Sequence, residues 1–147
     1  MLLKFVICCF VIDGFRNGIA YTLMIDFKNG FFKLTPVDES AVIDRVGPLL
    51  VDGEWIAAAY KTVRDSVVFT NKRIIAVNVQ GLIGKKVDFT SLPYNKVQAY
   101  SVETSGTFDR DCELDLVFSG MGAIRFELGR GCDVLALNRL ISTYVLN

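Results

Sequence analysis

CELDLVFSGMGAIRFELGRGCDVLALNRLISTYV, residues 112–145, holds two strands and a helix, and their order decides the fold class. Cys112, Leu114, Leu116 and Phe118 alternate with Glu113, Asp115 and Val117, the period of a half-buried strand. Gly120 and Gly122 bracket a turn. Ile124, Phe126 and Leu128 then alternate with Arg125 and Glu127 in a second such strand. After Gly129 to Cys132 the period lengthens. Val134, Leu137, Ile141, Tyr144 and Val145 share one helical face, while Asn138, Arg139, Ser142 and Thr143 are polar. Asp133 is placed to cap this helix, expected from about Asp133 to Leu146. An amphipathic helix that ends a run of half-buried strands has to bury its stripe, and the open end of a curled sheet accepts it.

Working upstream, the chain is mostly strand. Trp55 to Val63, Ser66 to Thr70, Arg73 to Val79, Lys86 to Thr90 and Val97 to Thr104 complete a set of seven short strands. Asn71-Lys72 makes a tight hairpin turn, and Gln80-Gly81 with Gly84 breaks the return strand. Leu92-Pro93-Tyr94 stops the next one. Thr35-Pro36-Val37-Asp38-Glu39 reads as a helix start, with Thr35 as cap, Pro36 at the first helical position, and Asp38 and Glu39 at the positive end of the dipole. Val42, Val46, Leu49 and Leu50 give that short helix an apolar stripe, and Gly47-Pro48 ends or bends it. No βαβ alternation, internal repeat or low-complexity tract is present.

Specific segments narrow this order. Pro48-Leu49-Leu50-Val51-Asp52-Gly53-Glu54 leads into the first strand. Val63-Arg64-Asp65, Phe69-Thr70-Asn71-Lys72-Arg73-Ile74-Ile75, Gln80-Gly81-Leu82, Gly84-Lys85-Lys86, Pro93-Tyr94, Ser101-Val102-Glu103-Thr104 and Phe108-Asp109 follow in sequence. As an ordered set, from about Met24 to the C-terminus, they resemble the bacterial pleckstrin-homology (PH-like) domain family of single-domain proteins. The resemblance implies a mainly β fold, a PH-like barrel of two near-orthogonal antiparallel sheets capped by the last helix. It also implies cyclic homo-oligomers, a pentamer-like ring being favoured, in which polar strand surfaces of neighbouring protomers form a protein-binding site. No catalytic residue or cofactor comes with it. The chain divides into an extension (1–23), a helical lead-in (24–52) and the PH-like domain (53–147).

Composition bounds the function. A chain of 147 residues that is 52% hydrophobic and 22% charged is globular. A net charge of zero gives no general attraction to nucleic acid, which is not expected as a partner, or to anionic lipid. Histidine is absent, and with it the commonest general base and metal ligand. None of Cys8, Cys9, Cys112 and Cys132 forms a CxxC pair, so no zinc site is expected. Cys112 and Cys132 read as small buried apolar residues. We therefore expect no enzyme activity, no metal and no cofactor.

Arg64, Lys72, Arg73, Lys85 and Lys86 are candidates to cradle a phosphorylated headgroup. They are split by turns, with Asp65 and Asp88 between them, which favours ordinary surface charges. Gly81 and Gly84 lack the spacing of a phosphate loop. Glu103 and Asp109 have no nucleophile or base beside them. Phe69, Phe118, Phe126 and Tyr144 fall on apolar periods and are expected in the core, while Trp55, at the head of a strand, is a candidate interface anchor. The candidate binding set is Arg64, Asp65, Asn71, Lys72, Arg73, Lys85, Lys86 and Glu103. Two functions are expected, in this order. The first is a self-assembling module with a further protein partner. The second is a phospholipid or phosphoinositide headgroup binder at the inner membrane surface. The expected location is cytoplasmic, or peripheral to that membrane.

Leu2 to Ile12 is apolar apart from Lys4, shorter than the about 20 residues a membrane helix needs. Gly18-Ile19-Ala20 loosely resembles a cleavage site, but Asp13 and Arg16 lie where secretory signals are usually uncharged. The favoured reading is upstream sequence ahead of a true start at Met24, so that a chain beginning there is expected to fold and assemble unaided.

Overall fold

The computed structural model describes residues 33–81, 83–84, 86–104 and 111–147. The start-site reading and the pair Cys8–Cys9 lie outside them. Eight strands form two antiparallel sheets. The first has five strands in sequence order: β1 (Thr35–Val37), β2 (Ile56–Lys61), β3 (Ser66–Thr70), β4 (Arg73–Gln80) and β5 (Lys86–Pro93). A 3-10 turn, Tyr94–Lys96, carries the chain to the second sheet of β6 (Val97–Thr104), β7 (Cys112–Phe118) and β8 (Gly122–Leu128). The chain ends on helix α2 (Val134–Val145).

The sheets are laced together at one side. The Leu34 N–H donates to the Glu127 carbonyl at 3.0 Å and the Gly129 N–H to the Leu34 carbonyl at 2.7 Å, a bridge from the start of β1 to the end of β8. At the other side β5 and β6 do not pair, so the expected barrel is two sheets rather than a closed cylinder.

The main core lies between these layers. Phe69, Ile74 and Leu92 from the first sheet meet Leu114, Leu116, Ile124 and Phe126 from the second and Leu137 and Ile141 from α2. Asp133 caps α2, its carboxylate accepting the Ala136 N–H at 3.0 Å. Tyr94 stacks on Tyr144 with ring centroids 5.3 Å apart, and its hydroxyl donates to the Thr70 carbonyl at 2.8 Å. Burial pushes that phenol well above its ordinary pKa, with the neighbouring Tyr144 and Glu54 adding to the shift. The other face of the first sheet carries a second cluster, in which Val42 and Val46 cover Ala59, Val68, Ile75 and Val77. All five residues of β3 are therefore buried, which explains the β-branched and aromatic run Val67 to Thr70.

Two expectations are corrected. Thr35-Pro36-Val37 is a strand and not a helix start: Thr35 pairs with Lys61 and Val37 with Ala59. Pro36 is tolerated because β1 is an edge strand. The helical lead-in begins later, as a 3-10 turn at Glu39–Ala41, then α1 (Ile43–Val46), then a 3-10 turn at Gly47–Leu49 that takes Pro48 in its first turn. Secondly, Cys112 and Cys132 are joined by a disulfide, with Cα atoms 6.5 Å apart. Cys112 is buried in the core as read, but the β7–β8 hairpin brings the chain back so that Cys132 stands beside it.

Candidate functional site

The seven described candidate residues fall in three separate places. Antiparallel strands put successive turns at opposite ends of a sheet, and this divides the hairpin charges.

At one end, the β3–β4 turn holds Asn71, Lys72 and Arg73. Arg73 is occupied internally. Its Nε donates to Glu54 Oε1 at 2.9 Å and its Nη2 to Glu54 Oε2 at 3.1 Å. The same guanidinium donates to the Leu49 carbonyl at 2.6 Å and to Ser91 Oγ at 2.8 Å. Glu54 has a fully buried side chain and also accepts the Thr70 hydroxyl at 2.8 Å and the Val51 N–H at 3.0 Å. Burial alone would raise its pKa. The hydrogen bonds from Arg73, Val51 and Thr70, with the arginine's charge, outweigh that and hold the carboxyl down at about 2. Asn71 is occupied too, since its Oδ1 accepts the Trp55 N–H at 2.9 Å and its Nδ2 donates to the Gly53 carbonyl at 3.0 Å. These two residues fasten the lead-in to the sheet. Lys72 is exposed, as are Trp55 (53%) and Val51 on the fastened turn.

At the opposite end, the β2–β3 turn meets the β4–β5 turn. Asp65 Oδ1 accepts the Val79 N–H at 2.8 Å, and Arg64 Nη2 donates to the Gly81 carbonyl. Thr62 Oγ1 accepts the Asp65 N–H at 2.9 Å and closes the turn. Lys86 opens β5 and is exposed. Lys85 lies outside the described residues. Both turns carry an exposed apolar tip, Val63 at 97% and Ile83 at 79%.

Glu103 belongs to the outer face of the second sheet. Register places it opposite Glu113, and Glu113 opposite Glu127, so three carboxylates cross the sheet in a row. Asp115 lies opposite Arg125, whose Nη2 meets Asp115 Oδ2 at 2.7 Å and whose Nη1 meets Glu113 Oε2 at 2.8 Å. Asp109 lies outside the described residues. Among those residues no group of three or more Cys, Asp or Glu side chains is placed to hold a metal ion.

Sequence reasoning did not single out Glu54. A glutamate before a strand reads as solvent-facing, and only the fold shows that Arg73 and Thr70 surround it.

Two antiparallel sheets, a C-terminal helix packed against their shared core and polar turns at both ends define a PH-like domain. The chain belongs to the bacterial PH domain family, whose sequence profile it matches over residues 26–145. It is 48% identical over 81 residues to the uncharacterized protein YjqA of Bacillus subtilis (strain 168). That match covers 55% of this chain and 65% of YjqA, so the chain spans just under two thirds of that relative's length. A crystal structure of a DUF1696-family protein with a pleckstrin-homology domain, from Shewanella loihica PV-4, is similar at 39% identity and a TM-score of 0.69, covering 78% of this chain and 98% of that one. A pleckstrin-homology domain from Shewanella amazonensis SB2B is similar at 44% identity and a TM-score of 0.59, covering 76% and 90%. No helix among the described residues is long and apolar enough to cross a membrane.

Proposed function

We propose that the chain is a non-catalytic protein-interaction and self-assembly module that closes into a cyclic, pentamer-sized homo-oligomer in the cytoplasm, with a further protein as its partner. The supporting observation is the edge of β5. Eight residues long, it pairs with β4 on one side and with no described strand on the other. Edge strands with unpaired backbone groups template pairing with another chain. Phe89, 40% exposed, stands at this edge opposite Val77 of the second cluster and offers apolar contact beside the free backbone. A rotated head-to-tail contact through such an edge closes into a ring and repeats one polar surface around the axis. Weak contacts to a multivalent partner then gain avidity without any chemistry.

Sedimentation at micromolar concentration is the test. The expected species is a multiple of the 16.3 kDa chain, and Phe89→Lys should shift it to the monomer by placing a charge in the contact. A wild-type monomer would overturn the assembly reading, and an unshifted oligomer in the variant would remove β5 from it.

One observation favours a second reading, a headgroup binder at the inner membrane surface. Val63 and Ile83 project from adjacent turns flanked by Arg64 and Lys86, a pairing of apolar tips and cations suited to an anionic bilayer. On this reading the protein pelleting with phosphatidylglycerol vesicles falls as salt rises, and Val63→Ser/Ile83→Ser weakens it about tenfold through lost apolar burial. No pelleting at low salt would dismiss it.

A further inference from the structure

We propose that Cys112 and Cys132 are a reversible oxidation site for low-molecular-weight disulfides, a staple that sets how firmly the start of α2 and the seam between the sheets are held. The bond is placed where three parts of the fold meet. Cys112 opens β7 and lies opposite Leu128, the residue of β8 that bridges to Leu34. Cys132 directly precedes Asp133, the cap of α2. The loop between them and the seam runs against β1: a Cβ at Gly129 would lie 3.6 Å from the Leu34 carbonyl oxygen, and one at Gly131 would lie 3.6 Å from the Pro36 ring. Without the bond, this junction keeps the two backbone hydrogen bonds at Leu34 and the apolar contacts of the loop. With it, the first turn of α2 is tied covalently to the sheet it covers.

The two sulfurs differ in access, and this orders the chemistry. Cys132 is half-buried and Cys112 is buried. The Cys132 thiol loses its proton, and the thiolate attacks one sulfur of a low-molecular-weight disulfide. That S–S bond breaks, a mixed disulfide forms on Cys132, and one thiolate leaves. The Cys112 thiol then loses its proton and attacks Cys132 Sγ, expelling the second thiolate. The protein gives up two protons and two electrons, and the oxidant becomes two thiols. An excess of dithiol reverses both steps.

The test uses the full chain with oxidised glutathione or dithiothreitol as probe. Trypsin cleaves after Arg110, Arg125, Arg130 and Arg139, so the staple appears in an unreduced digest as peptides 111–125 and 131–139 joined, while Cys8 and Cys9 stay on peptide 5–16. We expect that linked pair to dominate after oxidation. Closing a loop of sequence separation 20 should favour the folded state on the order of a hundredfold over the reduced chain in denaturant titration. Amide exchange at residues 131–137 should be slower when oxidised. In Cys112→Ser/Cys132→Ser neither reagent should change unfolding or exchange at residues 131–137, and the wild-type comparison stands even if that variant folds poorly. Links to Cys8 or Cys9 or between chains in place of this pair would overturn the proposal. So would a linked pair that leaves both unfolding and exchange unchanged.

Discussion

Leu137→Asp and Ile141→Asp are each expected to unfold the domain at room temperature. Both side chains are buried, Leu137 at 2% and Ile141 at 0% exposure, and both belong to the main core cluster with Leu and Phe side chains of the two sheets. A carboxylate there has no cation beside it, and an unpaired buried charge costs several kcal/mol even after the group takes up a proton. The apolar burial lost with the side chain adds about 2–5 kcal/mol. Against a stability on the order of 5–15 kcal/mol, the sum leaves little or no folded population. Leu135→Asp is the control. It lies on the same helix but is 73% exposed, so its effect should stay within about 0.5 kcal/mol. Far-UV circular dichroism against temperature checks all three. Folding of the first two variants with near-normal thermal stability would mean that α2 does not cover the core.

The elements with one wet face were legible in the sequence. β7 and β8 alternate because most of their outer residues, Glu113, Asp115, Arg125 and Glu127, carry charge, and α2 shows a stripe because only one side of it is dry. β3 was legible by composition alone, since burial on both faces leaves nothing to alternate. β1 was not legible. Its three residues hold no period, and Pro36 satisfies a helix start as well as an edge strand. The disulfide was hidden for a different reason: its partners are 20 residues apart, and only the hairpin between them makes them neighbours. The candidate site was legible least. Arg64 and Arg73 are close in sequence, yet β3 separates their turns by a strand of five residues, about 17 Å. Sequence proximity grouped charges that the sheet sends to opposite ends, and residue type could not tell an arginine bound to Glu54 from a lysine left in solvent.

That distinction is measurable. Arg73→Met is expected to cost about 3–5 kcal/mol, because it leaves the Glu54 carboxylate buried without its cation. The loss reaches further than one pair, since the same guanidinium holds the Leu49 carbonyl and so the lead-in that covers the second cluster. Glu54→Gln should cost less, because an amide oxygen can still accept from Thr70 and Val51, and combining it with Arg73→Met should recover part of the single variant's loss. The pH dependence separates charge from packing. In the wild type the Glu54 pKa falls from 4.5 to about 2 on folding, so its contribution is fully present above about pH 4.5 and is lost as pH falls toward 2. In Arg73→Met the carboxyl keeps its bonds from Thr70 and Val51 but loses the cation, so its folded pKa rises from the wild-type value and acid costs the variant less than the wild type. Urea titrations of the two proteins should therefore differ most above pH 5 and converge as pH is lowered. A gap that stays constant with pH would show that Arg73 acts through its packing alone, and a gap below about 1 kcal/mol at pH 7 would show that the buried pair does not hold the lead-in in place.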